Sequence, residues 1–149
     1  MYSSIVLIDI ANGNVVKESP VSVILNRTML PVEDGFIAIA GKMPEADYQN
    51  TAVKLVMLDN VDMEIVKQSE EEVSQKSVLL ENDGLIYVVI RDSNSWVLAS
   101  YDKELTLKAK SEVKVLESTP AIISDMGIAV TTADGSVVIL DSETLEKKW

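Results

Sequence analysis

With 149 residues, 24 acidic against 13 basic side chains and a formal charge of −11, the chain is the length of one soluble domain and unsuited to nucleic acid or anionic lipid, which both need a positive field. It holds no Cys and no His, which removes disulfides, thiolate nucleophiles, imidazole-built zinc sites and the Ser-His-Asp triad. Hydrophobic residues reach 47%, yet no apolar run approaches the roughly 20 residues of a membrane span, so no membrane insertion is expected.

The first segment, MYSSIVLIDI, has neither a basic stretch ahead of its apolar run nor a small-residue cleavage site, so no signal peptide is expected. Residues 4–18, SIVLIDIANGNVVKE, read as two strands joined by a tight turn at Asp9, Asn12 and Gly13. Next comes TMLPVEDG, from Thr28 to Gly35, then the strand FIAIA and the longest loop, GKMPEADYQN at 41–50. The strand VKLVML ends at Asp59, and after the turn DNVDME the charged stretch Glu64 to Lys76 reads as an outer strand and a polar connection. The order then repeats: SVLLENDG from Ser77 to Gly84, LIYVVI, a short DSNS turn, and WVLASY ending at Asp102. It repeats again from Thr119: TPAIISDMG, IAV, an Asp-Gly turn, and SVVIL ending at Asp141.

Spacing makes this a repeat. From each turn Asp to the next Thr or Ser the separations are 19, 18 and 17 residues, and from there to Gly they are 7, 7 and 8. Length variation collects in one connection, as it does in stacked repeats whose insertions lie on one face. If the strands of a unit are called a, b, c and d, a and b occur three times and c and d four times, about fourteen in all. The expectation is therefore an all-β, β-propeller-like array of four-stranded antiparallel blades. It is a partial propeller of about three and a half blades: a half blade at 4–18 and blades at about 28–70, 77–112 and 119–149, forming one domain over 1–149 cut from a longer protein. The alternative for the same strand count is a β-sandwich of about a dozen strands.

Residues 118–149 resemble the blade of the PQQ-like, quinoprotein-type propeller family, in which a Ser-Pro strand leads to a Gly, an Asp-Gly turn, a strand ending in Leu-Asp, a Thr-Gly turn and a terminal Trp. Pro120, Gly127, Asp134, Gly135, Leu140, Asp141, Thr144 and Trp149 stand at those places. The chain departs from the pattern at Leu145 and Met63, where the turn Gly is expected, and Trp149 alone supplies the blade-end Trp. The resemblance implies a scaffold and an extracytoplasmic or envelope setting. Quinoprotein dehydrogenases of that family carry a cofactor, calcium and often a vicinal disulfide, which a Cys-free chain cannot form.

Asp9, Asp59, Asp102 and Asp141 read as turn residues accepting backbone N–H bonds rather than as a ring of cation ligands. DNVDME and DSNS lack the spacing, central Gly and final Glu of an EF-hand loop, and neither GxGxxG nor GxxxxGK occurs, so no metal and no cofactor is assigned. Partner-binding candidates are Tyr48, in the longest loop, and Trp96, in the variable b–c connection or at the start of a c strand, because binding residues concentrate on loops held by a rigid scaffold. The functional expectation is a non-catalytic interaction or structural scaffold that binds a protein or other ligand through blade loops, or self-associates through exposed blade edges. Its alternatives are a fragment of a quinoprotein-like oxidoreductase whose cofactor site lies outside this chain, and a structural domain of a surface or envelope protein.

Overall fold

The structure, a computed structural model, describes residues 4–21, 23–41 and 53–149. Among them the chain is all-β, with no helix and thirteen strands: β1 (Val6–Ile8), β2 (Val15–Glu18), β3 (Val23–Val32), β4 (Gly35–Gly41), β5 (Lys54–Asp59), β6 (Ile65–Gln68), β7 (Leu80–Asn82), β8 (Leu85–Asp92), β9 (Ser95–Tyr101), β10 (Leu107–Lys114), β11 (Ala121–Ser124), β12 (Gly127–Thr131) and β13 (Val137–Leu140). They form four separate antiparallel sheets in which every strand pairs with its neighbour in sequence: β1-β2, β3-β4-β5-β6, β7-β8-β9-β10 and β11-β12-β13. A fourteenth strand is represented by a single bridge, Leu140 to Lys147, and a backbone bond from Lys148 N to Ile139 O.

Val/Ile-rich runs of four to seven residues, too short for helices and bounded by Asp, Asn and Gly, account for these strands. The two central sheets are apolar on both faces. In β8, Ile86, Val88 and Ile90 point into one cluster with Ile37, Ile39 and Leu55 of the preceding sheet, while Tyr87 and Val89 point into another with Ile128, Val130 and Leu140 of the following one. A third cluster joins Ala38, Val56 and Leu58 to Val21 and Ile5. Successive sheets thus stack face to face, each using one set of alternate residues for the sheet before it and the other set for the sheet after.

Backbone bonds stitch the stack together. Val73, in the polar stretch after β6, is buried and bridges both Val53 of its own sheet and Ile90 of the next. Val115 does the same one unit later, donating to Trp96 O and bridging Thr132. Side chains cross the same gaps: the hydroxyl of Tyr87 donates to Ser142 O at 2.8 Å and that of Tyr101 to Glu71 Oε2 at 2.7 Å. Burial and then the Glu71 carboxylate hold the Tyr101 hydroxyl neutral, far above the ordinary tyrosine range.

The three glycines that close the Thr/Ser segments are not equivalent. A Cβ on Gly35 would lie 1.9 Å from Leu58 O, and one on Gly127 2.2 Å from Leu140 O, so both are needed for close approach of two strands. Gly84 faces open space and, at φ +80° beside Asp83 at φ 50°, makes the two-residue hairpin turn whose paired positive φ values match strand twist. Leu85, not Gly84, takes the strand position, since Ile86 pairs with Tyr101 as Phe36 pairs with Leu58 and Ile128 with Leu140.

Candidate functional site

The strands present two kinds of turn at opposite ends. At one end, the c strands β1, β5, β9 and β13 run into Asp9, Asp59, Asp102 and Asp141. Each carboxylate accepts from the backbone of its own turn: Ala11 N at 2.8 Å for Asp9, Val61 N at 2.8 Å for Asp59, Glu104 N at 2.9 Å and Thr106 N at 3.0 Å for Asp102, and Glu143 N at 2.9 Å for Asp141. The four aspartates therefore occupy the same corner of four successive sheets as turn residues. Backbone donors at Thr144 and Glu143 hold the Asp141 pKa below the usual carboxylate value. For Asp59, burial pushes upward, but donors at Glu64, Val61 and Met63, with Lys17 nearby, bring the net shift below that value. Among the described residues no group of three or more Asp, Glu, His or Cys stands together in a way that could hold a metal.

A left-handed residue closes each of these turns: Gly13 at φ 75°, Met63 at 54°, Leu105 at 61° and Leu145 at 58°. An L-residue there costs about 1–2 kcal/mol, and burying a Leu or Met side chain contributes about 1.5–3 kcal/mol, so burial decides the balance. Met63, Leu105 and Leu145 are all buried, the two leucines in the clusters between sheets. The departures from Gly noted in the sequence are thus plugs anchoring the turn to the core.

Beside these turns a cleft of about 480 Å³ opens between the second and third sheets, lined by Asp34, Met57, Asp59, Val66, Lys67 and Lys103, among others. Lys67 pairs with Glu104 across it.

At the other end lie the b–c connections. Tyr48 lies outside the described residues. Trp96, the second residue of β9, is half-buried against the cluster between the third and fourth sheets, so much of its ring packs the interior. What remains accessible is framed by residues the sequence did not single out. The Arg91 guanidinium stands 6.0 Å from the Trp96 ring centroid, in cation–π range, and bonds Ser93 O at 3.2 Å, with Glu72 Oε2 at 3.6 Å. Lys110 lies 3.3 Å from Asp92 on the same hairpin end. Their only sequence signal is position: Arg91 and Asp92 immediately precede the SNS turn. The result is an aromatic and mixed-charge surface at the b–c end of the third sheet.

Sequence reading also missed a buried serine. Ser19, Ser69 and Ser111 follow their turn Asp by 10, 10 and 9 residues. Ser69 and Ser111 each accept from a c-strand amide, Leu55 N at 3.1 Å and Leu98 N at 3.2 Å, and donate to a carbonyl two residues on. Ser19 instead donates to Met63 O of the next sheet at 2.6 Å.

A family model described as Borrelia P83/100 protein matches residues 1–121. No curated protein matches the chain. The match overturns the PQQ-like family reading, whose motif lies mostly beyond residue 121. The false resemblance has a physical reason: Asp141 and the Asp134-Gly135 turn are local turn chemistry, and Gly127 is a close-approach glycine, so any tight meander of strands selects them. The envelope setting, and the quinoprotein alternative, lose the resemblance that suggested them.

Proposed function

The chain belongs to the Borrelia P83/100 protein family, a description that specifies no reaction, and from that premise we propose that it is a non-catalytic interaction scaffold. Its sheets are read as the blades of a partial β-propeller, about three and a half of them, presenting b–c connections to a protein or other ligand. The observation that supports this reading is the recurrence of one geometry: a turn Asp at the same corner of four stacked meanders, with length variation collected in the b–c connection. A scaffold of this sort holds the corners constant and varies the loops.

The binding end is then the one bearing Trp96 and Arg91, and Tyr48, which lies outside the described residues, is assigned to the same interaction from the sequence alone. Capture of a partner from a lysate of the source cells should be lost with Tyr48→Ala/Trp96→Ala and kept with Asp34→Ala/Lys103→Ala, which alters the opposite end. Circular dichroism and thermal unfolding would confirm that both variants fold. Unchanged capture by the Tyr48/Trp96 variant would overturn the reading.

A further inference from the structure

Two junctions between sheets share one register and are filled differently. In the third sheet the row Leu80–Tyr87–Ser100 faces the fourth, and in the second the row Leu30–Ile37–Met57 faces the third. Tyr87 and Ile37 are therefore equivalent residues. The Tyr87 ring is buried in the cluster between its two sheets, and its hydroxyl donates at 2.8 Å to the carbonyl of Ser142, the residue after Asp141. Ile37 is fully buried too, but it has neither a ring nor a hydroxyl to reach the corresponding carbonyl, that of Lys103 after Asp102. The two turns match here, since Glu104 N and Glu143 N, one residue further on, each donate to the turn aspartate at 2.9 Å.

The shorter side chain leaves a pocket. About 140 Å³ of space stands beside Ile37, lined by Leu30, Val32 and Ile86, with the exposed residues Glu81 and Lys103. In the junction that holds Tyr87, the residues at the positions of Leu30, Ile86, Glu81 and Lys103 are Leu80, Ile128, Ile123 and Ser142. The pocket thus repeats the setting of a tyrosine without its ring. It shares Val32 and Lys103 with the cleft of about 480 Å³ beside the turns, which gives a molecule a way in from solvent.

We propose that this pocket binds a small phenol, its ring against Leu30 and Ile86 and its hydroxyl donating to Lys103 O. Size suits the ring, because an aliphatic cavity of about 150 Å³ holds benzene. Polarity favours a ring with a donor: the Lys103 carbonyl stands where Tyr87 finds that of Ser142, and the Glu81 carboxylate stands where the fourth sheet has Ile123. The tether excludes a tyrosine from a protein partner. The path by which Tyr87 joins its ring to the backbone is taken at this junction by Ile37 itself, so the ring must arrive free. The pocket lies at the turn end, opposite the b–c connections, and this inference and the loop-binding reading fail separately.

Titration of isotope-labelled chain with phenol, followed through amide chemical shifts, tests it. Saturating shifts should appear at Ile37, Ile86 and Lys103 and not at Trp96. Benzene, which lacks the hydroxyl, should bind about fivefold more weakly, and N-acetyltyrosinamide, whose ring carries a para chain, should give no saturable shift at these amides. Ile37→Tyr supplies the ring from within, so phenol binding should be lost and the thermal midpoint should equal or exceed that of wild type. Tyr87→Ile should open a second pocket, with saturating phenol shifts at Ile128 and Ser142 and a lowered midpoint that phenol raises. Absence of saturable phenol shifts in the wild-type pocket would overturn the inference, as would equal affinity for benzene or binding of N-acetyltyrosinamide as tight as that of phenol. So would an Ile37→Tyr variant that melts below wild type or still binds phenol at Lys103, or a folded Tyr87→Ile variant that gains no phenol site.

Discussion

The hairpin β8-β9 and the hairpin β1-β2 are made of the same residue types, and they differ in what covers them. Ile86 through Ile90 and Val97 through Tyr101 are buried on both faces, whereas Val6, Leu7, Ile8, Val15 and Val16 are exposed. Strand formation here is local, but stabilisation is shared: a sheet in this chain contributes to the core in proportion to how many of its faces meet a neighbour. Stability should therefore be concentrated in the middle of the stack and taper toward both ends.

The largest expected effect sharpens that contrast at one register position. Leu98→Ala, in the cluster between the third and fourth sheets, should cost about 3 kcal/mol, the lost burial plus the cavity left behind. Val137→Ala, four residues before its Asp as Leu98 is, should cost less than about 0.5 kcal/mol. Urea unfolding of the two variants measures the difference directly. Equal losses would mean that the stacking does not carry stability as described.

A smaller effect separates the glycines. Ala at Gly35 or Gly127 forces two strands apart and should cost about 2–3 kcal/mol, as overpacking does. Gly84→Ala meets open space and incurs only the cost of an L-residue at positive φ, about 1 kcal/mol. A larger loss at Gly84 than at Gly35 would reverse the register that puts Leu85 in the strand.

These variants also mark what the sequence made legible. The all-β class and the four aspartate corners were readable because each depends on a few adjacent residues: apolar runs bounded by turn formers, and a carboxylate within reach of backbone donors two or three positions on. Equivalence of Gly84 with Gly35 and Gly127 was misread because spacing from Ser77 cannot distinguish a turn glycine from a strand glycine one residue away. The stitching residues Val73 and Val115, and the serine triplet, were hidden for another reason. Their partners lie on other strands or in the next sheet, and Val73 sits in a stretch whose charge reads as solvated surface. At the b–c end, Trp96 was singled out in the sequence but Arg91 and Glu72 beside it were not, since their meeting is created by the β8-β9 turn and the connection after β6.

Acid should loosen the turns before the core. Asp59, Asp134 and Asp141 have folded-state pKa values below their unfolded ones, so each contributes stability that is fully present above the unfolded value and lost as pH falls through the folded one. Thermal stability should accordingly be level above roughly pH 5 and decline below about pH 4. The double variant Asp59→Asn/Asp141→Asn should have a shallower decline. An unchanged acid limb in that variant would place the pH sensitivity elsewhere than in these turns.

The smallest effect lies inside the best-covered sheet. Ser100 is fully buried, and its Oγ has no hydrogen-bond partner among the described residues. It occupies the row Leu80–Tyr87–Ser100, the position held by Met57 in the sheet before and Ile139 in the sheet after. A buried hydroxyl without a partner costs about 1–3 kcal/mol in desolvation, whereas the methyl group of Ala leaves only a small void. Ser100→Ala should therefore be neutral or stabilise by up to about 1 kcal/mol, the opposite sign from Leu98→Ala two residues away on the same face. If Ser100→Ala instead destabilised the chain in urea, the hydroxyl would have to be satisfied by a buried water, and the interface between the third and fourth sheets would be wet where the apolar cluster makes it dry.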